Sequence, residues 1–344
     1  MIKILVVDDS LTMRMMMVEI LDKDPDFDVV GEAASGREAI HMAQAFSPDV
    51  ISMDMMMPEI NGVAATEYIM AHCPTRIMIL SSSLNRGELM KTYDALAAGA
   101  ISAFEKPSGV EDIDDWEKKV VEELKLVSRI PVIHHIRAKK QSLPAPGVSM
   151  PELVTTEYEI VVMGASTGGP QAIMSILQGL PSDFPVPVIC VLHISKNFSG
   201  SLAEWFSNNT ALNVKVATDR MFIGNLDKGL VLLAPADYHL TIENSMLKIV
   251  QTPPVNYCRP SVDVLFESVG KNVKDKAIGV LLTGIGTDGA SGLKQMYDAG
   301  AYTIAQDEAS SVVYGMNKAA IDMGAAKKVL SCNDIANELI RLCK

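Results

Sequence analysis

Short apolar runs alternate with longer amphipathic stretches along the first 127 positions. Runs at 3–7, 29–33, 50–53, 77–80 and 103–104 read as strands, and the segments between them, such as 10–22 and 36–45, carry helical periodicity. A Glu- and Lys-rich helical pattern over 111–127 closes this part. Strands spaced by helices of this length predict βαβ units, so the α/β pattern implies an N-terminal doubly wound (βα)5 domain with a parallel sheet over 1–127. From 128 to 155 the periodicity fades and four prolines interrupt the chain, which predicts an interdomain linker. The α/β rhythm then resumes. Strands are expected at 159–164, 186–193, 214–217, 230–234, 278–283 and 301–305, with 239–242 and 247–250 as an antiparallel hairpin. A C-terminal α/β/α three-layer domain with a mostly parallel sheet is therefore expected over 156–344.

At 344 residues, 48% of them apolar, the chain has material for two cores. The net charge of −12 is unevenly placed. Residues 1–125 carry 11 Lys/Arg against 23 Asp/Glu, 126–155 carry 4 against 1, and 156–344 carry 15 against 18. Neither domain is basic, so nucleic acid is not an expected partner. The five cysteines (Cys73, Cys190, Cys258, Cys332, Cys343) are scattered and form no C-x-x-C pair, which argues for a reducing cytoplasm over a disulfide framework or structural zinc. No apolar run is long enough to span a bilayer, and the first residues enter a strand pattern without a leader-like basic segment. A cytoplasmic monomer that does not insert into membranes is the expectation.

In parallel α/β sheets ligands bind beyond the carboxyl ends of the strands. Asp8 and Asp9 end the first strand and Asp54 ends the third. Three carboxylates collected there repel one another unless a cation lies between them, and hard oxygen ligands with open positions suit Mg²⁺. Lys106 follows the fifth strand, and Pro107 fixes the turn that aims its ammonium back. Ser82, or its neighbour Ser81, supplies a hydroxyl at the end of the fourth strand. The set describes a phosphoryl-accepting site in which Asp54 is the nucleophile and Lys106 and the serine hold phosphate oxygens. Any one of these residues alone reads as a solvated loop position; the ordered set does not. The methionine clusters at 15–17 and 55–57 read as packing. Val6-Val7-Asp8-Asp9-Ser10, Met53-Asp54-Met55-Met56-Met57-Pro58, Gly62 and Lys106-Pro107 resemble response-regulator receiver domains over about the first 120 residues.

The second domain carries a different chemistry. Gly164-Ala165-Ser166-Thr167-Gly168 fits G-x-S-x-G, where a tight strand-to-helix turn exposes a serine hydroxyl above the sheet. A nucleophilic serine needs a base. Of the six histidines, His41 and His72 fall on helices of the first domain, His134 and His135 in the linker, and His239 in the hairpin. His193 ends a strongly apolar strand, at the same sheet edge as Ser166. The third member should be a carboxylate at another strand end, and the turn Gly284-Ile285-Gly286-Thr287-Asp288-Gly289 offers Asp288. This turn also matches G-x-G-x-x-G with Asp307 about 20 residues on, a dinucleotide fingerprint. Asp288 would then add negative charge where a pyrophosphate must lie, so the carboxylate makes better sense orienting an imidazolium.

The order Ser166, His193, Asp288 is not that of α/β-hydrolases. It is similar instead to the chemotaxis protein-glutamate methylesterase family. The residues carrying the resemblance are 164–169, His193, Ala234-Pro235-Ala236-Asp237-Tyr238-His239, Arg259-Pro260-Ser261-Val262-Asp263-Val264-Leu265-Phe266, 282–289, Gln306-Asp307-Glu308 and 312–316. There are three departures. Leu192-His193-Ile194-Ser195 stands where the family usually has Gln-His-Met-Pro, Ile285 replaces a methionine, and Asn317 replaces a proline. The resemblance implies hydrolysis of glutamate γ-methyl esters on chemoreceptors, with glutamine deamidation beside it, and backbone N–H donors from Thr167 and Ile285 for the oxyanion. It further implies a chemotaxis histidine kinase as phosphodonor, Mg²⁺ at Asp8, Asp9 and Asp54 for phosphorylation, no cofactor for hydrolysis, and a receiver that restrains the enzyme until Asp54 is phosphorylated.

Overall fold

The computed structural model describes residues 1–82, 86–107, 113–131, 157–194 and 196–344. The chain divides into two compact units, Met1–Lys140 and Gln141–Lys344. Of the expected linker, 132–155 lies outside the described residues.

The first unit runs β1 (Ile2–Val7), α1 (Leu11–Asp22), β2 (Phe27–Ala33), α2 (Gly36–Phe46), β3 (Val50–Asp54), α3 (Gly62–His72), β4 (Arg76–Ser81), α4 (Arg86–Ala97), β5 (Ser102–Glu105) and α5 (Ile113–Ser128). Every strand pairing is parallel, in the order β2-β1-β3-β4-β5, so the expected strands form one doubly wound sheet. Helix starts follow local chemistry: Ser10, Ser35 and Asn61 accept hydrogen bonds from Met13, Glu38 and Ala64 N–H. Because Ser10 follows Asp9 directly, the first helix begins at the acidic strand end. All five residues of β3 are buried, Asp54 included, so this carboxylate needs partners. The sheet order reverses between β1 and β3, where a parallel sheet opens a crevice for ligands.

The second unit runs β6 (Ile160–Ala165), α6 (Gly169–Gly179), β7 (Val188–Leu192), α7 (Lys196–Asn209), β8 (Asn213–Val216), β9 (Met221–Phe222), β10 (Leu230–Leu233), β11 (His239–Glu243), β12 (Met246–Val250), α8 (Val262–Asn272), β13 (Ala277–Leu281), α9 (Ala290–Asp298), β14 (Tyr302–Gln306), α10 (Met316–Asp322), β15 (Lys328–Leu330) and α11 (Cys332–Leu342). The large sheet is ordered β15-β14-β13-β6-β7-β10-β8, and the hairpin β11-β12 pairs with β9 in a small antiparallel sheet. Ile160, Val162, Ile189, Val191, Leu230 and Leu232 share one core with Leu265, Phe266, Leu293 and Met296 of α8 and α9. The alternate positions Val161, Met163, Cys190 and Val280 are equally buried, which places the packed helices α6, α7 and α11 over the other face. The domain is thus the expected three-layer sandwich. Two elements were not anticipated, the two-residue β9 and the three-residue β15. β13 is also shorter than expected. It ends at Leu281 because Thr283 turns aside, its N–H donating to Gln306 Oε1 at 2.8 Å and its hydroxyl to Thr167 O at 2.9 Å.

Candidate active site

Ser166, His193 and Asp288 follow β6, β7 and β13, which are neighbours in the sheet, with β6 in the middle. The turn after β6 is held by two backbone bonds, from Ser166 N–H to Thr283 O at 3.0 Å and from Gly169 N–H to Ser166 O at 2.7 Å. Gly168 caps α6 at φ +76°, a conformation that favours glycine. Gly284 approaches the serine so closely that a Cβ there would stand 2.7 Å from Ser166 Cβ. This brings the following residue, Ile285, alongside the serine. Among the described residues no hydrogen bond occupies the backbone N–H of Thr167 or of Ile285.

His193 and Asp288 are in contact. Nε2 of the half-buried imidazole stands 2.8 Å from Asp288 Oδ2, and Nδ1 faces Cys258 Sγ at 3.6 Å. Asp288 is buried and heavily bonded. Ser261 Oγ donates to Oδ1 at 2.7 Å, Asn256 Nδ2 to Oδ1 at 3.0 Å, and the Val262 N–H to Oδ2 at 2.7 Å. Ser261 is also the N-cap of α8, so the carboxylate sits at a helix N-terminus, where exposed N–H groups favour negative charge. Burial works against the charged form of Asp288, yet the bonds from His193, Asn256, Ser261 and Val262 outweigh it and hold the pKa down at about 2. Burial likewise disfavours the His193 imidazolium, but Asp288 and the neighbouring Cys258 sulfur raise its pKa to about 9.

Among the described residues no hydrogen bond joins the Ser166 hydroxyl to His193, a looseness common in sites without substrate. The structure thus pairs two of the three expected residues and places the third on the adjacent strand end. Asn256 and Cys258 beside the pair carry no expectation from the sequence, and Ser261 enters there only within the 259–266 segment of the resemblance, with no role at Asp288. His239 also has a use that its hairpin position did not suggest. Fully buried, it places Nε2 3.0 Å from Pro253 O and accepts the Ser261 N–H at Nδ1, fastening loop 251–261 to the sheet. Asp307, the acid of the rival dinucleotide reading, is engaged locally by Ser310 N–H and Oγ at 3.0 and 2.6 Å. Asn317 exploits its departure from proline: its amide donates to Gln306 O at 2.9 Å and to Ser311 Oγ at 2.7 Å. Ser195 of the altered histidine segment lies outside the described residues.

In the first unit Lys106 Nζ lies 2.6 Å from Asp54 Oδ1 and 2.8 Å from Asp8 Oδ2. Asp8 and Asp54 are buried and Asp9 is exposed, with ligand oxygens of all three within 4.8 Å of one another. Asp8 Oδ2 is enclosed, with the Lys106 ammonium 2.8 Å away. An all-carboxylate donor set of this kind, with three oxygens this close together, fits a hard divalent cation such as Mg²⁺. Burial raises the Asp54 pKa to about 6, with the Asp8 and Glu88 carboxylates adding to it and Lys106 opposing. At the end of β4 the Ser81 hydroxyl is buried, donating to Glu88 Oε1 at 3.2 Å and accepting from Thr92 Oγ1 at 2.8 Å. The half-buried Ser82 donates its backbone N–H to the same Glu88 carboxylate.

Two family models match this chain: CheB methylesterase over residues 161–339 and response regulator receiver domain over residues 4–116. A protein-glutamate methylesterase/protein-glutamine glutaminase 2 from Anaeromyxobacter dehalogenans is 37% identical over 343 residues, covering 100% of this chain and 97% of its own. A protein-glutamate methylesterase/protein-glutamine glutaminase from Nitrosospira multiformis is 39% identical over 348 residues, covering 99% and 97%. Among solved structures, the catalytic domain of the Thermotoga maritima CheB methylesterase matches with a TM-score of 0.51 at 36% identity, covering 54% of this chain and 98% of that one. With its receiver domain in front and relatives similar from end to end, the chain belongs to the CheB methylesterase family.

Proposed function

We propose that this chain is a phosphorylation-activated serine hydrolase that demethylates glutamate γ-methyl esters on chemoreceptors and deamidates glutamines there, in the cytoplasm. The observation that carries this reading is the His193–Asp288 pair, at 2.8 Å, drawn from the two strands that flank the one leading to Ser166. Asp288 accepts the Nε2–H, which leaves the lone pair on Nδ1. That nitrogen takes the Ser166 proton as Oγ attacks the ester carbonyl. The N–H groups of Thr167 and Ile285 meet the oxyanion, a contribution of ~3–4 kcal/mol per donor in comparable sites. The imidazolium, held by Asp288, returns the proton to the departing methanol. Water, deprotonated by the same Nδ1, then attacks the acyl carbon; the Ser166 Oγ–acyl bond breaks, the proton passes to Ser166 Oγ and the carboxylate leaves. A glutamine substrate loses ammonia by the same route.

In the receiver, Asp54 is the phosphoryl acceptor, and a chemotaxis histidine kinase is the donor. Asp8, Asp9 and Asp54 are the residues that would hold Mg²⁺, which neutralises charge on the incoming phosphoryl group. Lys106 and a hydroxyl from Ser82 or its neighbour Ser81 hold phosphate oxygens. No nucleic acid enters the function, and the chain acts as a monomer. The test is methanol release from methylated chemoreceptor membranes: wild type is expected to release it and Ser166→Ala is not. Equal release by both would refute the hydrolase assignment.

A further inference from the structure

The loop beside the catalytic pair carries a feature that hydrolysis itself does not use. Val255 and Cys258 exchange backbone hydrogen bonds at 3.1 and 2.9 Å, closing a two-residue turn over Asn256 and Tyr257. Both central residues are left-handed, at φ +51° and +62°. This is the geometry of a type I′ turn, in which Asn is at ease in the first place and Gly in the second. A bulky aromatic in the second place is strained. Strain of this kind persists where the surroundings impose it, and here they do. Asn256 donates to Asp288 at 3.0 Å and to Asp263 Oδ2 at 2.7 Å, while Cys258 faces His193 Nδ1. His239 fastens both ends of the loop, through Pro253 and Ser261. The turn is thus welded to the catalytic pair, and it holds Tyr257 fully in solvent, 102% exposed. Val255 beside it and Tyr238, next to His239, are exposed apolar surface as well, at 37% each.

We propose that Tyr257 is a specificity residue that grips the protein segment on either side of the esterified glutamate. The inference rests on the proposed function, because it requires a protein substrate. A γ-methyl ester alone offers too little surface to select a protein. An aromatic presented on a turn that is bonded to the catalytic pair, one residue before the cysteine facing His193, offers a large contact area at low cost in side-chain entropy, the property that makes tyrosine common among residues dominating protein interfaces. The strain is explained in the same way, since glycine would relax the turn and remove the grip.

The test compares full-length wild type, Tyr257→Gly, Tyr257→Ala and Tyr257→Phe on methylated receptor membranes, measuring KM and kcat for methanol release. A fluorophosphonate, which carries no protein segment, reports separately whether Ser166 remains reactive. The expected result is a KM raised roughly tenfold or more in the Gly and Ala variants, a much smaller change in kcat, retained labelling, and near wild-type KM for Phe. A KM within twofold of wild type in the Gly and Ala variants would overturn the inference while leaving the proposed function intact. Lost labelling in both would overturn it too, by showing that the ring serves the triad. If wild type releases no methanol at all, the proposed function falls and this inference falls with it.

Discussion

His193 Nε2 lies 2.8 Å from Asp288 Oδ2, and the same carboxylate is gripped by Ser261, Asn256 and the first N–H of α8. A carboxylate bonded this thoroughly cannot rotate, so it fixes both the tautomer and the plane of the imidazole, leaving Nδ1 for the role of base in the proposed mechanism. Asp288→Asn keeps the shape but gives up the charge that stabilises the imidazolium. Turnover on methylated receptors should fall ~10³–10⁴-fold, the loss seen when a triad carboxylate is replaced by its amide. Stopped-time methanol assays check this, and a loss under tenfold would remove Asp288 from the mechanism.

The raised His193 pKa sets a pH dependence. The base must be neutral, so kcat/KM should climb with pH and level off above about 9. Cys258 is one of the groups holding that value up, through its 3.6 Å approach to Nδ1. Cys258→Ala should therefore shift the rising limb to lower pH. A pH–rate profile that does not move would show that the sulfur leaves the base untouched.

Ser261 serves the helix and the site at once, accepting the Val264 N–H as N-cap and donating to Asp288. Ser261→Ala should cost about 1–2 kcal/mol in a denaturant melt. It should also lower kcat/KM by loosening Asp288. Loss of stability with full activity would limit the residue to capping.

Gly284 has no room for a side chain, because a Cβ would stand 2.7 Å from Ser166 Cβ and closer still to Met316 Sδ. Gly284→Ala should cost about 1–3 kcal/mol of stability by overpacking. Activity should fall by ~10²-fold or more, because the next residue, Ile285, carries a proposed oxyanion donor. A fully active Gly284→Ala enzyme would separate that turn from the oxyanion.

Asp8, Asp54, Ser166 and His193 could be read from the sequence because each closes a buried apolar run, and Asp288 because it lies in the glycine-rich turn after another; parallel sheets gather such positions at one edge. What surrounds them could not. Asn256 and Ser261 reach Asp288 from a loop and a helix start more than 25 positions away in the chain, with no periodic signal to announce the contact. Cys258 and His193 meet across a wider gap still, of 65 positions. β9 and β15 are too short to show alternation, and β13 was overextended because Leu282 and Thr283 are as apolar-patterned as a strand but bond into the serine turn.

The most direct test of a hydrolase governed by a receiver is methanol release from radiomethylated chemoreceptor membranes by full-length wild type, Ser166→Ala and Asp54→Ala. Each is assayed with and without a small-molecule phosphodonor, and with Mg²⁺ present or chelated. Wild type should be stimulated by the phosphodonor only when Mg²⁺ is present. Ser166→Ala should be inactive throughout, and Asp54→Ala should keep basal release while ignoring the phosphodonor. Stimulation of Asp54→Ala equal to that of wild type, or release by Ser166→Ala, would contradict the account.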